Sequence, residues 1–194
     1  MSFEERLEFG KKAERAVLAY LKQYGFDLEY REVYPTADNR TELRIQNLVH
    51  GDISVKNVAY ERRSDRTLPN KQLDLDVKAT YFISEKSISG FKGQYYIFYP
   101  VRKEGVFEED ALLAKVVRAK TIQRYWERIP VKQRLHGPSG DSGYYFKNVK
   151  NHITLEEFAP LLIKIILTHS ETSAQFYRDL NLPFKKVMPK GVTL

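Results

Sequence analysis

Hydrophobic and polar residues alternate strictly along 71–80: Leu73, Leu75, Val77 and Ala79 on one side, Asp74, Asp76, Lys78 and Thr80 on the other. A period of two predicts a β-strand with one buried face, the other face carrying two carboxylates and an ammonium in a row. Upstream, 41–49 reads as an apolar strand that delivers Gly51 and Asp52, with Ile53 and Val55 continuing the extended pattern. Residues 26–34 predict an earlier strand after the glycine turn at Gly25. Residues 94–101 are almost wholly apolar and aromatic, which suits a central strand covered on both faces. Further strands are expected over 111–118 and 144–149.

Helical periodicity appears in four places. Phe3, Leu7, Ala13, Val17, Leu18 and Leu21 form a stripe over 2–24, with Glu4 and Glu5 in the first turn and Gly25 as the stop. A short helical turn is expected within 85–88. A helix over 121–128 turns Ile122, Tyr125, Trp126 and Ile129 inward and ends at Pro130. Thr154 with Glu157 is a capping-box pattern opening a helix that runs to 167 or 168. The sum is a mixed α/β (α+β) fold, a central mixed sheet flanked by helices. It forms one domain over 1–168, and 169–194 is an arm or short helix packed on that domain or on a partner.

The connections carry charge. The stretch 61–70 has no periodicity and reads as an insertion between strands, where Arg62, Arg63 and Arg66 suit phosphates or simply solvent. Three glycines and a proline make 131–143 a loop, with Lys132 and Arg134 as its candidate nucleic-acid contacts.

Composition narrows the chemistry. The absence of cysteine removes disulfides, thiolate zinc sites and cysteine nucleophiles together. No histidine pair has zinc-ligand spacing, and no P-loop or dinucleotide fingerprint is present. The charged N-terminus and the shortness of the longest apolar run, 161–167, give an expectation of a cytoplasmic protein without a membrane partner. A net charge of +7 favours a polyanionic partner, and DNA is the expected one.

Phosphodiester hydrolysis needs a polarised phosphoryl oxygen, an activated water and stabilisation of negative charge. Mg²⁺ held by oxygen ligands supplies much of this, and a neighbouring lysine orients water or offsets charge. Asp52, Asp76 and Lys78 provide these parts, with the Val77 carbonyl as a further ligand. Glu14 is either a solvated helix charge or a carboxylate turned toward the same place. Asp74 shares the face of Asp76 and is open to three readings, a second metal ligand, a hydrogen-bond partner or surface, with surface preferred. His50, two residues before Asp52, points the same way, toward a scissile phosphate or into ordinary packing.

A helix with Glu14, a strand with Asp52 and a strand carrying Asp76-Val77-Lys78 resemble the PD-(D/E)xK nuclease superfamily. The run Lys11-Lys12-Ala13-Glu14-Arg15-Ala16-Val17, followed by Leu21 and Gly25-Phe26, is similar to the first helix of Holliday-junction resolvases. The resemblance covers about 10–100 and implies a restriction-endonuclease-like α-β-β-β-α-β core. It implies Glu14, Asp52 and Asp76 as metal ligands, Lys78 as the catalytic lysine, and Mg²⁺, with Mn²⁺ as a substitute. Two departures from the pattern stand out: no proline precedes Asp52, and Asp76 replaces the commoner glutamate. A DNA endonuclease that cuts both strands is expected to be a homodimer. The competing expectation is a non-catalytic, basic nucleic-acid-binding protein.

Overall fold

The computed structural model describes residues 3–24, 26–31, 48–56, 72–99, 114–136 and 140–167. Their elements are α1 (Phe3–Lys22), β1 (Asp27–Tyr30), β2 (Ile53–Lys56), β3 (Gln72–Lys78), β4 (Phe82–Ser84), α2 (Glu85–Gly90), β5 (Tyr95–Phe98), β6 (Lys115–Arg118), α3 (Ala119–Arg128), a 3₁₀ turn (Val131–Gln133), β7 (Leu135–His136), β8 (Ser142–Tyr145), β9 (Ile153–Thr154) and α4 (Leu155–Leu167). Six strands make one sheet in the order β1-β2-β3-β5-β6-β9. The β3–β5 pair is parallel and its neighbours are antiparallel, so the sheet is mixed. A second, three-stranded sheet has the order β4-β8-β7.

Alternation along β3 sorts two separate cores. Leu73, Leu75 and Val77 pack with Ala13, Val17 and Leu21 of α1, and with Phe158 and Leu162 of α4. The opposite face is set by register: Asp76 lies beside Tyr96, and Lys78 beside Phe98. Tyr96 and Phe98 join a second core with Ile88 of α2, Ile122 and Trp126 of α3, and Phe146. Both faces of β3 are therefore covered, and Leu73 through Val77 are all buried. Full burial of a residue such as Leu75 or Ile97 contributes about 1.5–3 kcal/mol, so this strand is held firmly from both sides.

This overturns the expectation that Asp74 is a surface residue; it is only 8% exposed. Period two says which residues share a face, not whether a second layer covers it. The covering layer comes from scattered aromatic positions much further along the chain.

Other elements shift more modestly. The capping box forms as expected: the Thr154 amide donates to Glu157 Oε2 (2.8 Å), and the Glu157 amide to Thr154 Oγ1 (3.2 Å). That box holds the Glu157 carboxyl below its usual range, chiefly through the Thr154 backbone donor. Residues 48–50 are helical rather than extended, and 41–47 lie outside the described residues. Asp52 thus precedes a strand instead of ending one. The expected loop over 131–143 contains a 3₁₀ turn and strand β7, paired to β8. Tyr125, expected inward, is 38% exposed, because α3 buries Ala119, Ile122 and Trp126 instead. The tail 169–194 lies outside the described residues. Among the described residues no helix is long and apolar enough to cross a membrane.

Candidate functional site

Strand β2 pairs with β3 only as far as Ile53 opposite Leu75, so residues 76–78 of β3 extend past it. Gly51 makes the departure. Its φ is +72°, and a Cβ there would lie 2.4 Å from the Leu75 carbonyl oxygen. Only glycine accepts both the left-handed conformation and that close approach. Asp52 is then clamped by its backbone: its amide donates to Leu75 O (2.9 Å), and its carbonyl accepts from the Arg31 amide (2.8 Å).

The Asp52 side chain takes the place of the missing strand. Its Oδ2 accepts from the Val77 amide at 2.8 Å. In an extended strand the amide and carbonyl of one residue leave on the same edge. The Val77 carbonyl therefore points to the edge that Asp52 lines. Asp76, 5% exposed, sits on the covered face with Lys78 one pleat on, and Lys78 Nζ lies 2.9 Å from Asp76 Oδ2. The structure thus brings Asp52, Asp76, Val77 and Lys78 together.

Glu14 approaches from α1. Its Oε2 accepts a hydrogen bond from the Tyr30 hydroxyl at 2.9 Å, and its charge is felt at Asp52. Burial pushes the Asp52 carboxyl well above the usual aspartate range, and the charges of Glu14 and Asp76 push it further, against the pull of Lys78 and the Val77 amide. Burial acts to lower Lys78, but Asp76, Asp52 and Glu14 outweigh it and raise it, so Lys78 is an ammonium. Tyr96 is raised by burial and by Asp76. Its hydroxyl donates to Ser87 O at 3.2 Å.

A hard divalent cation suits this donor set. Two carboxylates and a backbone carbonyl are oxygen ligands, and Mg²⁺ is commonly held by one or two carboxylates with substrate and water completing its shell. Its charge would also offset the repulsion gathered on Asp52. Among the described residues, however, no three Asp, Glu or His side chains cluster tightly enough to hold an ion by themselves. The fitting set is Asp52, Asp76 and the Val77 carbonyl, with Glu14, bonded to the Tyr30 hydroxyl, acting on Asp52 by charge.

A second polar group sits one pleat back along β3. Asp74 accepts from Ser54 Oγ across the strand pair and from Gln72 Nε2 (2.9 Å), and pairs with His50 Nδ1 (3.1 Å). Arg31 Nη1 stands 4.0 Å away. The Asp74 backbone is clamped by Gln94, whose Oε1 accepts its amide proton and whose amide donates to its carbonyl. Sequence reasoning missed this network. The available signal was Ser54, a lone polar residue between Ile53 and Val55.

The remaining candidates scatter. Arg62, Arg63 and Arg66 lie outside the described residues. Lys132 is exposed on the 3₁₀ turn. Arg134 is folded onto the protein itself, its guanidinium 4.1 Å from the Trp126 ring centroid and 3.6 Å from Glu85. Among the other histidines, His136 is exposed on β7, and His152 bonds to Val149 O at 2.8 Å.

Comparison of the chain with protein-family models, with curated proteins and with solved structures finds no match.

Proposed function

We propose that this chain is a Mg²⁺-dependent endonuclease that hydrolyses DNA phosphodiester bonds, built on a restriction-endonuclease-like core. One observation carries the reading. Asp52 and the Asp76–Lys78 pair, more than twenty residues apart in sequence, converge where β2 leaves β3: Asp52 Oδ2 accepts from the Val77 amide at 2.8 Å, and Lys78 Nζ stands 2.9 Å from Asp76 Oδ2. The order of elements in the six-stranded sheet supports it: a helix with Glu14, three antiparallel strands, then, after a short strand of the second sheet and a short helix, a strand parallel to the third.

In this reading Asp52, Asp76 and the Val77 carbonyl hold the cation. When bound, it polarises the phosphoryl group and lowers the pKa of water. Lys78, kept as an ammonium by three acids, donates to the phosphate and offsets charge that grows as water adds and the leaving oxygen departs. Asp76 aims that ammonium from one pleat away. Glu14 tunes Asp52 by charge.

The test is incubation of the wild type, Asp76→Asn and Lys78→Gln with supercoiled, single-stranded and branched DNA in Mg²⁺, Mn²⁺ or EDTA. Cleavage is expected for the wild type only with a cation, and each variant is expected to lose at least about 100-fold. Undiminished cutting by Asp76→Asn would falsify the assignment. A second reading, a non-catalytic nucleic-acid-binding protein, draws on the lack of a three-ligand cluster among the described residues. It predicts salt-sensitive binding that ignores cations such as Mg²⁺ as cofactors and yields no product.

A further inference from the structure

The positive charge of this chain is not spread evenly. Residues 118–150 hold eight lysines and arginines but only two acids, Glu127 and Asp141, and so contain six of the seven net charges. Seven of the eight cations are exposed, all except Arg134. An ordinary soluble surface intersperses both signs; here cations dominate, and Glu127 is the one carboxylate on α3.

Helix α3 organises the cations. Ala119, Ile122 and Trp126 turn into the second core. Lys120, Arg124 and Arg128 recur every fourth residue, which places them on one outward ridge with steps of about 6 Å along the axis. No carboxylate among the described residues forms an ion pair with any of the three; Arg134 is the cation of this segment that is paired, to Glu85. Lys132, also exposed, follows four residues after Arg128 in the 3₁₀ turn. The placement matters as well. Tyr96 and Phe98 pack under α3, and register puts Asp76 and Lys78 on their face of the sheet. The ridge and the Asp76–Lys78 pair therefore belong to one side of the sheet.

We propose that the α3 ridge of Lys120, Arg124 and Arg128, extended by Lys132, is a sequence-independent cradle for the phosphate backbone of duplex nucleic acid. It rests on the nucleic-acid partner of the preceding reading but not on cleavage. Regularly spaced cations on a rigid helix match a regularly spaced polyanion, and each neutralised phosphate releases counterions. The apolar side of α3 is already committed to the core, so the helix has no face left to insert into a lipid surface.

The test is binding of a short labelled duplex in EDTA across a salt series, using the full chain. Lys120→Gln, Arg124→Gln and Arg128→Gln together are expected to weaken binding at least about tenfold at moderate salt. They should also flatten the slope of log affinity against log salt by about three. The charge-conserving set Lys120→Arg, Arg124→Lys and Arg128→Lys is expected to keep both. Three results overturn the proposal: no binding by the wild type, unchanged affinity and slope in the glutamine variant, or equal loss in the charge-conserving set. A wild type that binds through the ridge yet cuts nothing in Mg²⁺ or Mn²⁺ keeps this inference and removes the nuclease. One that cuts with the ridge neutralised and binding unaltered does the reverse.

Discussion

Asp74 and Asp76 stand two residues apart on one face of β3, and both are more than nine-tenths buried. Their surroundings differ. The Asp74 carboxylate is answered by Ser54, Gln72 and His50, and Gln94 holds its backbone. Asp76 has Lys78, and with it a second buried acid, Asp52, whose carboxyl is held well above the usual aspartate range by burial and the charges of Glu14 and Asp76. A buried polar group with its partners complete fixes structure. A buried pair of acids with one ammonium paired to Asp76 holds charge that a ligand can relieve. The contrast teaches that burial and face do not separate a structural carboxylate from a chemical one; the count of partners does.

The sharpest way to break this contrast is to exchange the fates of the two aspartates. Asp76→Asn is expected to abolish cleavage, by at least about 100-fold, while the chain stays folded, as read by circular dichroism. Asp74→Ala is expected to do the opposite. It strands Ser54, Gln72 and nearby Arg31 without their acceptor and costs about 3 kcal/mol in urea unfolding. If instead Asp74→Ala melts like the wild type and is inactive, the two roles have been assigned the wrong way round.

Gly51→Ala comes next. It imposes a left-handed alanine and a clash with the Leu75 carbonyl, for a loss of about 2 kcal/mol or more, together with activity, because Asp52 is displaced. An active, fully stable variant would show that Asp52 does not need this turn. The smallest effect has the unusual sign. Folded Asp52 keeps its proton to higher pH than the unfolded chain does. Wild-type stability attributable to this group is therefore complete below the ordinary value of 3.8 and is lost as pH rises through the raised folded value. Asp52→Asn escapes that loss. In EDTA at neutral pH it is expected to melt a few degrees above the wild type while being inactive, with no advantage at pH below that of ordinary aspartate ionisation. A lower melting temperature at neutral pH contradicts the assigned electrostatics.

Much of this arrangement was legible in the chain. The alternation over 71–80 gave β3, the aromatic run gave β5, and Thr154 with Glu157 marked the start of α4. Asp52, Asp76 and Lys78 were picked out as one group, and they are neighbours. What stayed hidden was tertiary. Ser54 and Asp74 meet only because β2 and β3 pair in one particular register. Strand β7 is two residues long, too short for any period to show. Arg134 looked like a free loop cation because nothing local announces the Trp126 ring beneath it. The left-handed turn at Gly51 puts Asp52 at the beginning of a strand where the end of one is expected from the sequence.

The Val77 amide bonds to the Asp52 carboxylate rather than to the backbone of a neighbouring strand. That single N–H is a built-in reporter. In a ¹⁵N-correlated spectrum its resonance should move with whatever happens to Asp52, whether a proton arrives or a dication does, while Leu75 one step earlier stays put. Occupancy of the pocket becomes visible without any substrate, dye or turnover.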